Sequence, residues 1–75
     1  MDKINPNHYK FGGIETIDYI AAKMTSEAFE GYLQGNVIKY ISRYNEKNGI
    51  EDLHKAEWYL FRLINLKENL REIKK

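Results

Sequence analysis

The sequence predicts an all-α fold, a small helical domain of three to four helices with a long C-terminal helix, assembling as a homo-oligomer. Apolar residues recur at spacings of three and four between breakers, and no stretch alternates apolar with polar. The third observation is size. The chain has 75 residues and no cysteine, and so small a domain is marginal without an added source of stability. Disulfides and cysteine-based zinc sites are excluded. His8 and His54 are too far apart in sequence to form a ligand pair of standard spacing. Oligomerisation is then the leading source of extra burial. One domain is expected over residues 1–75, an N-terminal loop or arm at 1–13 and a helical core at 14–72.

The elements follow in order. MDKINPNHYKFGG holds the single proline and two of the five glycines, which predicts a loop or arm. Its Tyr9 and Phe11 either pack back on the core or serve a partner. Ile14–Met24 is expected as a first helix, with Ile14, Ile17, Ala21 and Met24 on one apolar face and Glu15 and Asp18 on another. Thr25 or Ser26 caps the next helix, with Glu27 in its first turn. Phe29, Tyr32 and Leu33 anchor a second helix to about Gln34, weakened by Gly31 and Gly35. Whether it breaks at Gly35 or runs on stays open. A third helix is expected over Asn36–Lys47, ended by Asn48-Gly49. The last helix runs from about Ile50 to Glu72. Leu53, Ala56, Leu60, Leu63 and Leu70 form its stripe, and Tyr59, Leu66 and Ile73 widen it. Trp58 and Phe61 fall outside both sets, and such surplus apolar surface marks a partner interface.

Bulk charge excludes several functions. The net charge is +1, from 12 basic and 11 acidic side chains, which does not suit a binder of long nucleic acid. MDKINPNHYK lacks the apolar core of a signal peptide, and no apolar run approaches a membrane span. The expected compartment is the cytoplasm.

Positive charge is instead local. On a wheel of 100° per residue, Asn36, Lys39, Arg43 and Lys47 cluster within about 80°, with Tyr40 at the border. Val37, Ile41 and Tyr44 lie on the other side and are expected to face the core. Lysine and arginine bind phosphate, arginine bidentately. Asparagine can read a base edge, and tyrosine can stack on a base. A solvated charged face is the ordinary explanation of such a stripe. The arm adds His8 and Tyr9, a further donor and a further ring. Glu15, Asp18, Glu51 and Asp52 can orient Arg43 or Lys39, accept from ribose hydroxyls, or simply remain solvated.

Catalysis has little support. The phosphate loop GxxxxGK[ST] is missing, and no Ser/His/Asp or Cys/His arrangement is evident. No catalytic residue, metal site or cofactor is expected. The enzymatic alternative is a nucleotide kinase or a Mg²⁺-dependent pyrophosphohydrolase using Glu15, Asp18 and Asp52. A third alternative is a pure protein-interaction module that inhibits another protein.

One ordered set of motifs spans most of the chain. Asn5-Pro6-x-His8-Tyr9 and Gly13-Ile14-Glu15 are followed by Gly35-Asn36-Val37-Ile38-Lys39-Tyr40 with Arg43, Lys47 and Gly49. Asp52-Leu53-x-Lys55-Ala56 and Tyr59-Leu60 complete the set. Over about residues 5–66 the chain resembles a widespread family of small phage proteins, variously called a domain of unknown function, SaV-like, or nucleotide kinase. It also looks similar to the phage sponge proteins that defeat CBASS, a bacterial defence using cyclic oligonucleotide signals. That resemblance implies immune evasion by sequestering a cyclic dinucleotide or related nucleotide without cleaving it. It further implies a homodimer or homotetramer with the ligand at or near a subunit interface. His8, Tyr9, Asn36, Lys39, Tyr40 and Arg43 would bind, with Lys47 as an addition.

Overall fold

The structure, a computed structural model, describes residues 10–11 and 14–73, with side chains from 15 to 69. It is all-α apart from a minimal ribbon. β1 (Lys10–Phe11) pairs antiparallel with β2 (Ile14–Glu15), Lys10 opposite Glu15 and Phe11 opposite Ile14. Three helices follow: α1 (Thr16–Lys23), α2 (Ser26–Arg43) and α3 (Ile50–Ile73). The first helix therefore starts two residues later than expected, because Ile14 and Glu15 are taken by the ribbon. It also stops before Met24, whose extended backbone leads into the cap of α2. That cap is Thr25, whose Oγ1 accepts a hydrogen bond from the Ala28 N–H at 3.1 Å.

The expected second and third helices are one. α2 runs 18 residues without a break at Gly35, so its apolar phase is set once for the whole rod. Phe29 and Leu33 fix that phase in the first half, and the same face reaches Tyr40 two turns later. All three are buried, Tyr40 at only 7% exposure. Of Val37, Ile41 and Tyr44, read as the inward set, Val37 does pack against the core, and the reading is corrected for Ile41. Val37 and Tyr44 are half-buried and Ile41 is exposed. A separate third helix could have rotated to bury Ile41; a continuous one cannot. α2 also ends earlier than expected. Tyr44–Glu46 forms a single 3-10 turn, and Lys47 lies beyond it with non-helical backbone.

α2 and α3 form an antiparallel hairpin closed by the turn 47–49. Gly49 has φ +59°, its N–H bonds the Tyr44 carbonyl at 2.8 Å, and its own carbonyl accepts from Leu53. The core lies between the hairpin and α1: Ile17, Phe29, Leu33, Tyr40, Ala56 and Tyr59. Tyr59 is its centre. Its ring stacks on Tyr40 at 5.8 Å and meets Tyr32 and Trp58 edge-on at 6.3 and 5.0 Å. Trp58 thus joins the edge of the core, whereas Leu60, expected on the inner stripe, is exposed. Leu70 and Ile73 have no described side chains.

Two glycines test this account. A Cβ at Gly35 would meet no atom within 4 Å, so Gly35→Ala should stabilise the helix by about 0.5–1 kcal/mol. Gly49→Ala also finds open space, but its positive φ should cost about 1–2 kcal/mol. Thermal melting of the two variants should show shifts of opposite sign.

Candidate functional site

The cationic side of α2 is built around Tyr40. Its ring is covered by three cations from two helices. Lys39 Nζ lies 4.5 Å from the ring centroid, Arg43 Cζ 4.9 Å and Lys55 Nζ 5.6 Å. Tyr40 was expected to offer a stacking face at the border of the stripe. The structure makes it the floor instead, packed on Tyr59 beneath and cations above, so its ring does not lie open to a base. Each cation gains from the ring's negative face, while the three repel one another.

Arg43 is held in place by an acid that solvent does not reach. Asp52 is 0% exposed. Its Oδ2 accepts from Arg43 Nε at 3.3 Å and from the Asn48 backbone N–H at 3.1 Å. Its Oδ1 accepts from Arg43 Nη2 at 3.4 Å and from Asn48 Nδ2 at 3.3 Å. Burial pushes the carboxyl up. The Arg43 hydrogen bonds, the two from Asn48 and the guanidinium's charge outweigh it, so the pKa lies below its ordinary value of 3.8. A guanidinium has five N–H donors. Arg43 commits two nitrogens to Asp52 and keeps a third of its side chain exposed, free to meet an anion from a fixed position.

The other expected residues divide. Lys39 and Arg43 come together as expected. Asn36 lies on the same flank, half-buried, its Nδ2 donating one N–H to the Tyr32 carbonyl at 3.0 Å; the amide oxygen and the second N–H are the parts left for a ligand. Lys47 sits past the 3-10 turn, where the helical wheel no longer gives its direction. His8 and Tyr9 lie outside the described residues. Two participants escaped the sequence reading of the site. Lys55 stands sixteen residues from Lys39 in the next helix, so no single wheel contains both. Asn48 looked like a helix stop and serves also as a clamp on Asp52. The motif Asp52-Leu53-x-Lys55 was the available signal, since i and i+3 share a helix face.

The acids of the enzymatic alternative do not converge. Asp18 bonds Arg62 at 2.7 Å and Asp52 is committed to Arg43. Among the described residues no group of three or more His, Asp or Glu side chains is placed to hold a metal ion. No helix among them is long and apolar enough to cross a membrane.

The buried Asp52 gives a pH signature. A carboxyl whose pKa is lowered by folding stabilises the fold above its unfolded value, and this is lost as pH falls through the folded one. Asp52→Asn should therefore melt below the wild type at neutral pH. The gap should close as pH falls below 3.8, where the wild-type carboxyl also loses its charge. A gap that stays constant through this range would remove Asp52 from that role.

Comparison with known proteins shows the family of the chain. The family model described as a protein of unknown function, DUF3310, matches residues 3–61. The Gene 1.7 protein of Enterobacteria phage T3 is 44% identical over 63 residues, covering 77% of this chain and 39% of that protein. The protein named Nucleotide kinase gp1.7, of Escherichia phage T7, is 44% identical over 59 residues, covering 72% of this chain and 30% of its own length. The chain thus spans well under half of either relative. No solved structure matches. The family match runs from the N-terminal arm through α2, Asp52 and Lys55 into α3, and the chain belongs to the DUF3310 family of phage proteins of unknown function.

Proposed function

We propose that this phage protein binds a nucleotide through its phosphates and sequesters it without chemical change, with a cyclic di- or oligonucleotide as the expected ligand. The carrying observation is the convergence of Lys39, Arg43 and Lys55 over one tyrosine ring. Among the ion pairs of the described residues, only Asp52 answers these cations, and it does so through Arg43. A phosphate group would supply the cluster with a further counter-charge. Arg43 enters pre-oriented, so little side-chain entropy is lost on binding. Lys39 is exposed and Lys55 half-buried, and both supply point charge. Asn36 offers an amide oxygen to a base or ribose, and the family resemblance implies His8 and Tyr9 as further binding residues. Capture rather than turnover is supported by two features: the sequence lacks a phosphate loop, and Asp18 and Asp52 are each engaged by an arginine.

The relative named a nucleotide kinase favours a second reading, phosphoryl transfer. In it the same cations hold phosphate and further groups perform the chemistry.

A nucleotide panel containing linear and cyclic species separates these readings. The cognate nucleotide should raise the melting temperature, and its affinity should fall with ionic strength. Lys55→Ala is the clean variant, because Lys55 makes no ion pair among the described residues. It should weaken binding about tenfold or more with little change in the melting temperature of the free protein. Denaturing the complex and recovering the nucleotide intact, with Mg²⁺ present, supports sequestration. Turnover establishes the second reading, and a panel without any shift leaves neither standing.

A further inference from the structure

We propose that Trp58 and Phe61, on the outer side of α3, form the surface on which a base of the bound nucleotide stacks, beside the cations that would hold its phosphate. With phosphate held as in the proposed function, on which this rests, the base is the part of the ligand left without a ring to stack on.

The cation cluster itself has no open ring. Tyr40 lies between Tyr59 on one side and Lys39, Arg43 and Lys55 on the other. α3 supplies rings next to it. Lys55, Trp58 and Phe61 follow one another at intervals of three, and side chains three apart on a helix are neighbours, with Cβ atoms about 5–6 Å apart. Trp58 stands about 4.5 Å further along α3 than Lys55 and about 60° around it, and Phe61 continues the same path. The path leads away from the core, because the buried Ala56 and Tyr59 lie on the opposite side of Lys55 from Trp58.

The two rings differ in what holds them. Trp58 is half-buried, and its ring is fixed edge-on against Tyr59 at 5.0 Å. Phe61 is 64% exposed, more than any other Phe, Tyr or Trp among the described residues. Core packing accounts for Trp58 and not for Phe61. Together with His54 and Glu57 they line an open hollow of about 230 Å³. Pockets for drug-sized ligands begin at about 300 Å³, so this one takes a single flat ring system and leaves sugar and phosphate outside.

The lining narrows the occupant to a base. Every base has a π-face, and aromatic side chains stack on it whatever the sequence. No lysine or arginine lines the hollow, and the Glu57 side chain there is 75% exposed, so a phosphate meets repulsion in it. A cationic side chain from a protein partner suits the rings but would approach beside Lys55, where Lys39 and Arg43 add to the repulsion. A base is flat and uncharged, and the phosphate attached to it is drawn to Lys55. His54 Nδ1 and Glu57 Oε1 bond each other at 3.2 Å, which leaves the second Glu57 oxygen to accept from a base amino group.

Trp58 is the single tryptophan of the chain, so its fluorescence reads this surface. Titration of the wild-type chain with nucleoside triphosphates and cyclic dinucleotides should quench the emission saturably, at the concentrations that raise the melting temperature. Inorganic pyrophosphate should compete with the nucleotide yet leave the emission unchanged when added alone. Phe61→Ala should weaken nucleotide binding about tenfold or more and leave pyrophosphate binding within about twofold, whereas Lys55→Ala should weaken both. Nucleotide binding that leaves the Trp58 emission unchanged overturns the proposal and spares the functional reading. So does a Phe61→Ala variant that binds nucleotide as the wild type does, or that loses pyrophosphate equally. Quenching by a lysine-rich peptide and by no nucleotide assigns the surface to a protein partner and overturns the proposal too. A panel in which nothing binds sinks the functional reading and the stacking surface together.

Discussion

Asp52 carries a full charge where water cannot reach it, and the end of the hairpin is organised around that fact. A buried carboxylate persists only when its oxygens are bonded and its charge is answered. Arg43 comes from the end of α2, Asn48 from the turn and Asp52 from the first turn of α3. Meeting the needs of one acid therefore joins three consecutive pieces of chain. It also dictates where α2 stops. The 3-10 turn at Tyr44–Glu46 and the left-handed Gly49 bring Asn48 within reach of Asp52. Once those are in place, the two helices are registered and Tyr40 meets Tyr59.

The same contact links fold to site. An arginine on a free helical face samples many rotamers, and an anion must stop that motion when it binds. Here Asp52 has already stopped it. The guanidinium is aimed over Tyr40, and Lys39 and Lys55 are drawn to the same ring. In the proposed function, stability and binding would share one set of atoms, with Arg43 serving both. Lys39 and Lys55 would have only the second, because neither is tied to a carboxylate among the described residues.

Much of the fold was legible because it depends on short-range rules. Thr25 caps a helix through its own hydroxyl, Gly49 accepts a positive φ, and the long apolar period after Ile50 yields the longest helix. The errors came from phase and continuity. Gly35 weakens a helix without ending it, and the choice depends on what the flanking turns bury. Once α2 is one rod, Phe29 and Leu33 decide which way Tyr40 and Ile41 point. Tyrosine is ambiguous on a wheel: its body suits a core and its hydroxyl suits a border. Packing against Tyr59 resolved that ambiguity inward. Leu60 failed the other way, since an apolar stripe read from α3 alone does not say how wide a strip α2 covers.

Residue type and local spacing were enough to establish an all-α chain, the turn at Asn48-Gly49, and the shared flank of Asn36, Lys39 and Arg43. These depend on residues within a few positions of one another. Packing added Lys55 to the cations, turned Tyr40 from ligand to floor, and bound Asp52 to Arg43. It also left Ile38, Ile41, Leu60 and Ile64 exposed. Each of those outcomes joins residues from different helices. Their relative rotation is set by which side chains meet in the core, a property of the assembled hairpin that neither helix carries alone.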